Sequence, residues 1–120
     1  MPRFVILEHD HPEPHLDFML EENGALLTWR LPADLQPVPG ETLRLQARPL
    51  PEHRLHYLTY EGPVSGNRGS VRQRDAGEFE WLARAPAHWK IALRGQTYHA
   101  EVELVGSHGH EEFHWQAIKR

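Results

Sequence analysis

The stretch that decides the fold reads HDHPEPHLDFMLEENGALLTW and runs from His9 to Trp29. From His15 onward, polar and apolar residues alternate, and Leu16, Phe18 and Leu20 fall on one side. Alternation with a period of two is typical of a β-strand that buries one face. The stretch therefore predicts a strand with an apolar back and a polar front.

The residues that follow this strand predict its return. Asn23 and Gly24 both tolerate positive φ angles, and such a pair is a strong signal for a two-residue hairpin turn. We therefore expect residues 25–31 to run back antiparallel to the strand. A hairpin holds its side chains in fixed positions, so it offers a rigid platform for a site.

The polar front carries the residue types that bind metal ions. His15 and Asp17 lie two apart, and alternate strand residues have Cβ atoms roughly 6–7 Å apart. His9 comes from the Pro-rich segment before the strand, which can fold back over the same face. Two imidazoles and one carboxylate form a ligand set for Mn²⁺, Zn²⁺ or Fe²⁺. The alternative is a set of solvated polar residues on an open hairpin face.

The composition indicates one globular domain, residues 1–120, and excludes several kinds of site. The chain has 39% hydrophobic residues and no cysteine, so neither a disulfide nor a thiolate metal site can form. Ten histidines are available, and a metal site must be built from His, Asp and Glu. No apolar run approaches the ~20 residues that span a bilayer, and no signal-peptide pattern is present. We expect a monomeric, cytoplasmic protein without membrane contact.

The net charge of −4 argues against non-specific binding of nucleic acid by the whole surface. Arginine is nevertheless concentrated in one part of the chain, where six stand against Glu52, Glu61 and Asp75. These arginines are Arg44, Arg48, Arg54, Arg68, Arg72 and Arg74. The concentration indicates either a local basic face that meets phosphates or a solvated face of the sheet.

The remaining sequence consists of short alternating segments separated by turn signals. We expect a strand over residues 42–47 that Pro49 and Pro51 end, hairpin turns at 75–77 and 94–96, and a loop at 106–110. No stretch of ten residues has helical periodicity. The pattern predicts an all-β fold, a small closed or partly open antiparallel β-barrel with short helical turns.

A second pair of chemically active residues follows the prolines. His53 and Tyr57 are four positions apart, so they share a face in either a helical turn or a strand. His11 flanks the proposed metal site, where it is either an orienting partner of the ligands or a solvated side chain.

Motifs along nearly the whole chain resemble one known family, the 3′-phosphoesterase domain of bacterial DNA ligase D. The motifs include Glu8-His9, His15-Leu16-Asp17-Phe18, Glu52-His53-x-Leu55-x-Tyr57, Tyr60-Glu61-Gly62, Asp75-x-Gly77-x-Phe79 and Trp115-x-x-Ile118-Lys119. The chain is identified as a divergent, stand-alone member. The resemblance implies a small β-barrel that removes a terminal ribonucleotide or 3′-phosphate with a divalent metal, typically manganese.

The resemblance also implies roles for individual residues. His9, His15 and Asp17 correspond to the metal ligands, and Glu21 to a support of the metal shell. His53 corresponds to a residue that contacts the scissile phosphate and protonates the leaving group, and Tyr57 to a second phosphate contact. The expected partners are nucleic-acid 3′ ends and a separate ligase or polymerase.

The chain departs from the family pattern at two phosphate-binding positions. Met19 stands where the family has an arginine that grips the phosphate, and Ala33 stands where it usually has a lysine. Removing one such electrostatic contact typically costs about 3–4 kcal/mol in the transition state. Arg54 and Arg68 are the candidates for a replacement.

Two other functions remain open from the sequence. The first is a non-catalytic module that binds metal or nucleic acid and has lost the arginine at position 19. The second is a non-haem iron oxygenase whose triad is His15, Asp17 and His53.

Overall fold

The computed structural model describes residues 1–86, 88–106 and 111–118. It contains ten β-strands and one 3₁₀ turn, Leu55–Leu58. The strands are β1 (Arg3–His9), β2 (His15–Glu22), β3 (Ala25–Pro32), β4 (Thr42–Gln46), β5 (Arg48–Arg54), β6 (Gly62–Pro63), β7 (Ser70–Ala85), β8 (His88–Gly95), β9 (His99–Val105) and β10 (Glu112–Ala117).

All strands belong to one antiparallel sheet with the hydrogen-bonded order β4-β10-β9-β8-β7-β1-β2-β3-β5, and β6 pairs with β7 beside this path. Within the described ranges the order does not close on itself, because β4 and β5 are its two ends. The predicted all-β fold, a partly open antiparallel barrel, is confirmed. In the same part of the chain, no helix has the length and apolar character needed to cross a membrane.

One face of the sheet encloses the main core, and Phe18 of β2 lies at its centre. The Phe18 ring packs edge-on against Phe113, Trp115 and Trp29, with ring centroids 5.2–6.3 Å apart. Edge-to-face contacts of this kind add to the stabilisation that each buried aromatic ring contributes. The predicted apolar back of β2 therefore anchors the barrel.

The opposite face of β2 is also covered, which the sequence did not indicate. Met19 packs there in a second apolar cluster with Val5, Leu7, Leu26 and Leu58. Leu58 belongs to the 3₁₀ turn, so this turn closes over the face that the alternation presented as polar and open. As a result, the front of β2 is the floor of a covered site and not a solvated surface.

The hairpin turns predicted between β2 and β3 and between β8 and β9 are present in the structure. Asn23 and Gly24 have φ angles of 50° and 80°, and β2 and β3 pair without interruption from His15–Pro32 to Glu22–Ala25. The turn after β8 likewise returns into β9, with Arg94 opposite His99. The loop predicted at 106–110 lies, from residue 107, outside the described residues.

The turn predicted at Asp75-Ala76-Gly77 is wrong, because these residues lie inside the long strand β7. The pairing of β7 with β1 shifts register between Ile6 and Leu7, so a β-bulge stands where the sequence suggested a reversal. Gly77 is needed for close approach and not for a turn, since a Cβ atom there would lie 2.1 Å from the Arg94 carbonyl oxygen.

Pro49 and Pro51 also belong to a strand that the sequence analysis did not predict. They lie in β5, the edge strand that pairs with β3. Proline is tolerated at an edge because its missing N–H can face solvent. The strand over residues 42–47 ends as expected, but the chain continues directly into β5 and carries His53 to the site.

An ion pair between β2 and β7 predicts a small acid dependence of stability. The Arg84 guanidinium hydrogen-bonds to Glu22, with one N–O distance of 2.6 Å, and holds the pKa of Glu22 below its ordinary value of 4.5. A carboxylate with a lowered folded-state pKa stabilises the fold above its unfolded pKa and loses this contribution as the pH falls.

We therefore expect Glu22→Gln to flatten the loss of stability below about pH 4.5, by less than about 1 kcal/mol because the pair is near the surface. Urea unfolding at pH values from 3 to 7 measures the effect. Glu41→Gln, at an exposed position, is the control. An equally steep acid limb in Glu22→Gln and the wild type would contradict the prediction.

Candidate metal centre and adjoining cleft

The two histidines of the predicted site meet because they form the last register pair of β1 and β2. His9 ends β1 and lies opposite His15, the first residue of β2, and their ring centroids are 4.9 Å apart. Asp17 shares their face because strand side chains two positions apart point to the same side. The segment between the strands, residues 10–14, brings the three side chains to one end of the hairpin.

The Asp17 carboxylate lies between the two imidazoles. Its Oδ2 is 3.1 Å from His9 Nδ1, and its Oδ1 is 3.0 Å from His15 Nε2. One ligand atom from each residue lies within 4.8 Å of the others. His15 is 6% exposed and Asp17 is 3% exposed, so the pair is buried. The structure brings all three predicted ligands together.

Backbone carbonyls fix which nitrogen of each histidine faces Asp17. His15 Nδ1 donates to the Glu13 carbonyl oxygen at 2.8 Å, and His9 Nε2 donates to the Arg68 carbonyl oxygen at 2.8 Å. In neutral imidazoles, the inward-facing nitrogens then carry lone pairs. These carbonyls complete the site, and no sequence signal marks them because every residue has a carbonyl group.

The charge distribution at this point fits a bound cation. Two nitrogen lone pairs facing a buried carboxylate repel it unless a positive charge lies between them. A metal about 2.1 Å from each ligand places two ligands at right angles about 3.0 Å apart, which matches both contacts of Asp17. Outward N–H groups held by carbonyls are also the arrangement that orients histidine ligands. The donor set therefore fits a divalent metal.

Asp10 anchors the loop that carries the Glu13 carbonyl. Its carboxylate accepts hydrogen bonds from the Ser70 backbone N–H at 2.8 Å and the Ser70 hydroxyl at 3.2 Å. The hydrogen bond from the Ser70 backbone N–H is the main reason that the pKa of Asp10 lies below its ordinary range. Gly69 is needed here because a Cβ atom would lie 2.1 Å from the Asp10 carboxylate. The anchor ties the ligand-bearing loop to the start of β7.

A cleft of about 550 Å³ opens beside two of the three ligands, His9 and Asp17. His9, Asp17 and Met19 contribute to its lining. The residues that the resemblance assigned to phosphate binding line the same cleft, namely His53, Arg54, Tyr57 and Arg68. The structure thus places the predicted catalytic and phosphate-binding residues around one space.

His53 and Tyr57 meet where β5 passes into the 3₁₀ turn, with ring centroids 5.8 Å apart in an edge-on arrangement. His53 Nδ1 donates to the Pro51 carbonyl oxygen at 2.8 Å, and Nε2 has no hydrogen-bond partner among the described residues. The Tyr57 ring packs in turn against Tyr60, at 5.9 Å between centroids. The expectation that His53 and Tyr57 share a face is confirmed.

The structure does not bring Glu21 and His11 into the site. Glu21 is four residues beyond Asp17, or about 13 Å along the strand, and its carboxylate accepts a hydrogen bond from the Arg3 backbone N–H at 2.9 Å. The expectation that Glu21 supports the metal shell is therefore wrong. His11 is exposed, and its side chain makes no hydrogen bond with any described residue. The orienting contacts come from the two carbonyls instead.

The second departure from the family pattern, Ala33, lines a neighbouring cleft of about 470 Å³ together with His15. Arg72 and Arg74 line this cleft too, and both pair with the Glu8 carboxylate, at N–O distances of 2.6 and 2.7 Å. Hydrogen bonds from Arg72 and then Arg74 hold the pKa of Glu8 below its ordinary value. Both arginines are therefore paired with the same carboxylate, and the three side chains together keep one positive charge.

Comparisons with known proteins agree with the family that the sequence motifs resemble. The family model described as the DNA ligase D 3′-phosphoesterase domain matches residues 7–116. The chain is 41% identical over 80 residues to the multifunctional non-homologous end joining protein LigD of Mycobacterium bovis and to its counterpart in Mycobacterium tuberculosis. The match covers 64% of this chain and 10% of each relative. The chain spans about a tenth of the length of these relatives.

Proposed function

Because the chain belongs to the DNA ligase D 3′-phosphoesterase domain family, we propose that it is a divalent-metal-dependent phosphoesterase that trims nucleic-acid 3′ ends. The substrates are strands that end in a 3′-phosphate or a 3′-ribonucleotide. One observation supports this most strongly: His9, His15 and Asp17 each offer a ligand atom within 4.8 Å of the others, and His9 and Asp17 line the same cleft as His53 and Tyr57.

His9, His15 and Asp17 hold the metal, with Mn²⁺ as the proposed ion and Zn²⁺ as the alternative. A bound divalent metal lowers the pKa of a coordinated water and neutralises phosphate charge. The burial of Asp17 strengthens its attraction for the ion because the surrounding dielectric constant is low. The carbonyls of Glu13 and Arg68 keep both imidazoles oriented, so the site is preorganised for the ion.

The residues across the cleft act on the phosphate ester. His53 Nε2 is free, so a protonated His53 donates its proton to the leaving oxygen of the broken ester bond. The Tyr57 hydroxyl donates a hydrogen bond to a non-bridging oxygen. Arg54 and Arg68 line the same cleft and supply positive charge that the arginine at position 19 gives in the family. Arg68 is held by Ser65, whose carbonyl oxygen accepts from its Nε at 2.7 Å.

A non-catalytic binding module is the second candidate, and Met19 favours it. Met19 is 1% exposed in the apolar cluster with Leu58 of the 3₁₀ turn, and its side chain has no charge with which to grip a phosphate. The iron-oxygenase triad of His15, Asp17 and His53 has less support, because His9 takes the third position beside the other two.

The decisive experiment measures 3′-end processing with His53→Gln. We expect the wild type with Mn²⁺ to release inorganic phosphate from a 3′-phosphorylated primer and to remove a 3′-ribonucleotide. His53→Gln is expected to lower the rate by about 10²–10⁴-fold, the usual contribution of a general acid, and to leave Mn²⁺ affinity unchanged.

His88→Gln is the matched control, because His88 is an exposed histidine that pairs with Glu103 away from the cleft. It should retain the wild-type rate. Mn²⁺ binding without release from either substrate, under any divalent metal, would contradict the phosphoesterase and favour the binding module. Equal rates for His53→Gln and the wild type would contradict the role of His53.

A further inference from the structure

A second cleft borders His15. It has a volume of about 610 Å³, and its charged lining consists of Arg30, Arg48 and Glu13. Neither arginine is part of the family resemblance or of the site described above. This cleft lies next to the metal centre because His15, one of the three ligands, is also part of the cleft lining.

The strand register fixes how close the two arginines are to the ligands. Asp17 lies directly opposite Arg30, and Arg30 lies directly opposite Arg48. Residues directly opposite in antiparallel strands project from the same face. Adjacent strands are about 4.8 Å apart, so the arginines follow Asp17 at one and two strand spacings, or about 5 and 10 Å. They form a row of positive charge that starts at the ligand carboxylate.

The arginines are unpaired in the described part of the chain. The side chains of Arg30 and Arg48 make no hydrogen bond or ion pair with described residues, in contrast to Arg72, Arg74 and Arg84. Arg30 is half-buried, and its Nε is a buried donor without an acceptor. A buried donor without a partner and two like charges directly opposite each other both cost stability. An anion in the cleft removes both costs.

We propose that Arg30 and Arg48 bind the phosphodiester backbone of the strand whose 3′ end lies at the metal centre. This inference rests on the proposed function. The rise per nucleotide along a strand is about 3.4 Å, so the row reaches phosphates about one to three nucleotides before the terminus. Such contacts place the 3′ end in register and carry no base sequence information. They supply affinity outside the position of the missing arginine.

The test compares oligonucleotide binding by the wild type and by the double variant Arg30→Met, Arg48→Gln. Methionine keeps an apolar stem at position 30, where packing contributes to stability. Fluorescence anisotropy measures single-stranded DNA of two and six nucleotides with 3′-hydroxyl ends, which the proposed reaction leaves intact. We expect the six-nucleotide strand to bind the double variant at least about tenfold more weakly than the wild type. The two-nucleotide strand, which carries one phosphodiester, should show a smaller difference.

The salt dependence gives a second readout. Each lost phosphate contact lowers the slope of log affinity against log salt by about 0.7 for a single strand, so the double variant should lose about 1.4. The control variant Arg44→Gln, Arg94→Gln removes the same charge from β4 and β8, and it should bind like the wild type. If Arg30→Met does not fold, the exposed Arg48→Gln alone should lower the slope by about 0.7.

Three results would overturn the inference: wild-type affinity of the double variant for the long strand, an equal loss for both strand lengths, or an equal loss in the control. An unfolding midpoint that inorganic phosphate raises only in the wild type, without length-dependent DNA binding, would indicate a free-anion site and overturn it too. Phosphate release measured in parallel separates the two proposals. Arginine-dependent binding without release contradicts only the phosphoesterase, whereas release with an unchanged KM in the double variant contradicts only this subsite.

Discussion

Asp17→Asn is expected to lower Mn²⁺ affinity and metal-dependent phosphate release by more than about a hundredfold. Loss of a residue that only orients a metal ligand typically costs 10–100-fold in affinity or activity, and Asp17 is proposed as a ligand itself. Asparagine keeps the shape of the side chain but removes its charge. The amide also turns an N–H₂ donor toward one of the two imidazoles. Calorimetric titration with Mn²⁺ measures the affinity.

Glu21→Gln is the matched control for Asp17→Asn. Glu21 lies on the same strand and the same face, and its carboxylate contacts the Arg3 backbone instead of the histidines. The control should bind Mn²⁺ like the wild type. If Glu21→Gln lost affinity as much as Asp17→Asn did, general loss of charge on β2 would explain the effect, and the assignment of Asp17 would be wrong.

Asp75→Ala is expected to lower the free energy of unfolding by about 2–4 kcal/mol. Asp75 is 1% exposed, and its carboxylate accepts from the backbone N–H groups of Thr97 and Tyr98 at 2.9 and 2.8 Å. Alanine leaves both donors without an acceptor, and each partly buried donor costs about 1–3 kcal/mol. Urea unfolding followed by tryptophan fluorescence measures the change.

Asp34→Ala is the control for this effect, because Asp34 is an exposed aspartate whose carboxylate makes no hydrogen bond with a described residue. We expect it to change stability by less than about 0.5 kcal/mol. Equal stabilities of the two variants would show that Asp75 does not hold the β8–β9 turn. Asp75 lies far from the ligands along β7, so Mn²⁺ affinity of folded Asp75→Ala should match that of the wild type.

The parts of the fold that the sequence predicted well depend on local signals. Asn23 and Gly24 meet the φ requirement of a tight turn, and Leu16, Phe18 and Leu20 show which side of β2 faces the main core. These signals fix the hairpin, and the two-residue spacing within β2 places Asp17 on the same face as His15. His9 meets His15 because only five residues separate them, and this short loop joins two strands that pair directly.

The parts that the sequence predicted poorly depend on long-range packing. Asp75-Ala76-Gly77 has the composition of a turn, yet Asp75 caps a distant turn and Gly77 allows two strands to approach closely. Pro49 and Pro51 suggested a break because proline cannot donate a hydrogen bond, but the edge position of β5 removes that need. The cover over Met19 was hidden because Leu58 reaches it from a turn some forty residues away.

Arg30 and Arg48 could not be singled out from the sequence for the same reason. Arg48 was one of six arginines, and Arg30 was part of a strand pattern. Their proximity to Asp17 depends on the pairing of β3 with both β2 and β5, which only the sheet topology shows. The row that Arg30 and Arg48 form beside Asp17 can be recognised only when the pairing of β2, β3 and β5 is known.

Anomalous diffraction at the manganese edge, from crystals grown with Mn²⁺, tests the metal centre most directly. We predict one strong peak per chain, within about 2.3 Å of His9 Nδ1, His15 Nε2 and an Asp17 carboxylate oxygen. A peak at other residues, or none at these three while Mn²⁺ is present, would contradict the proposed centre.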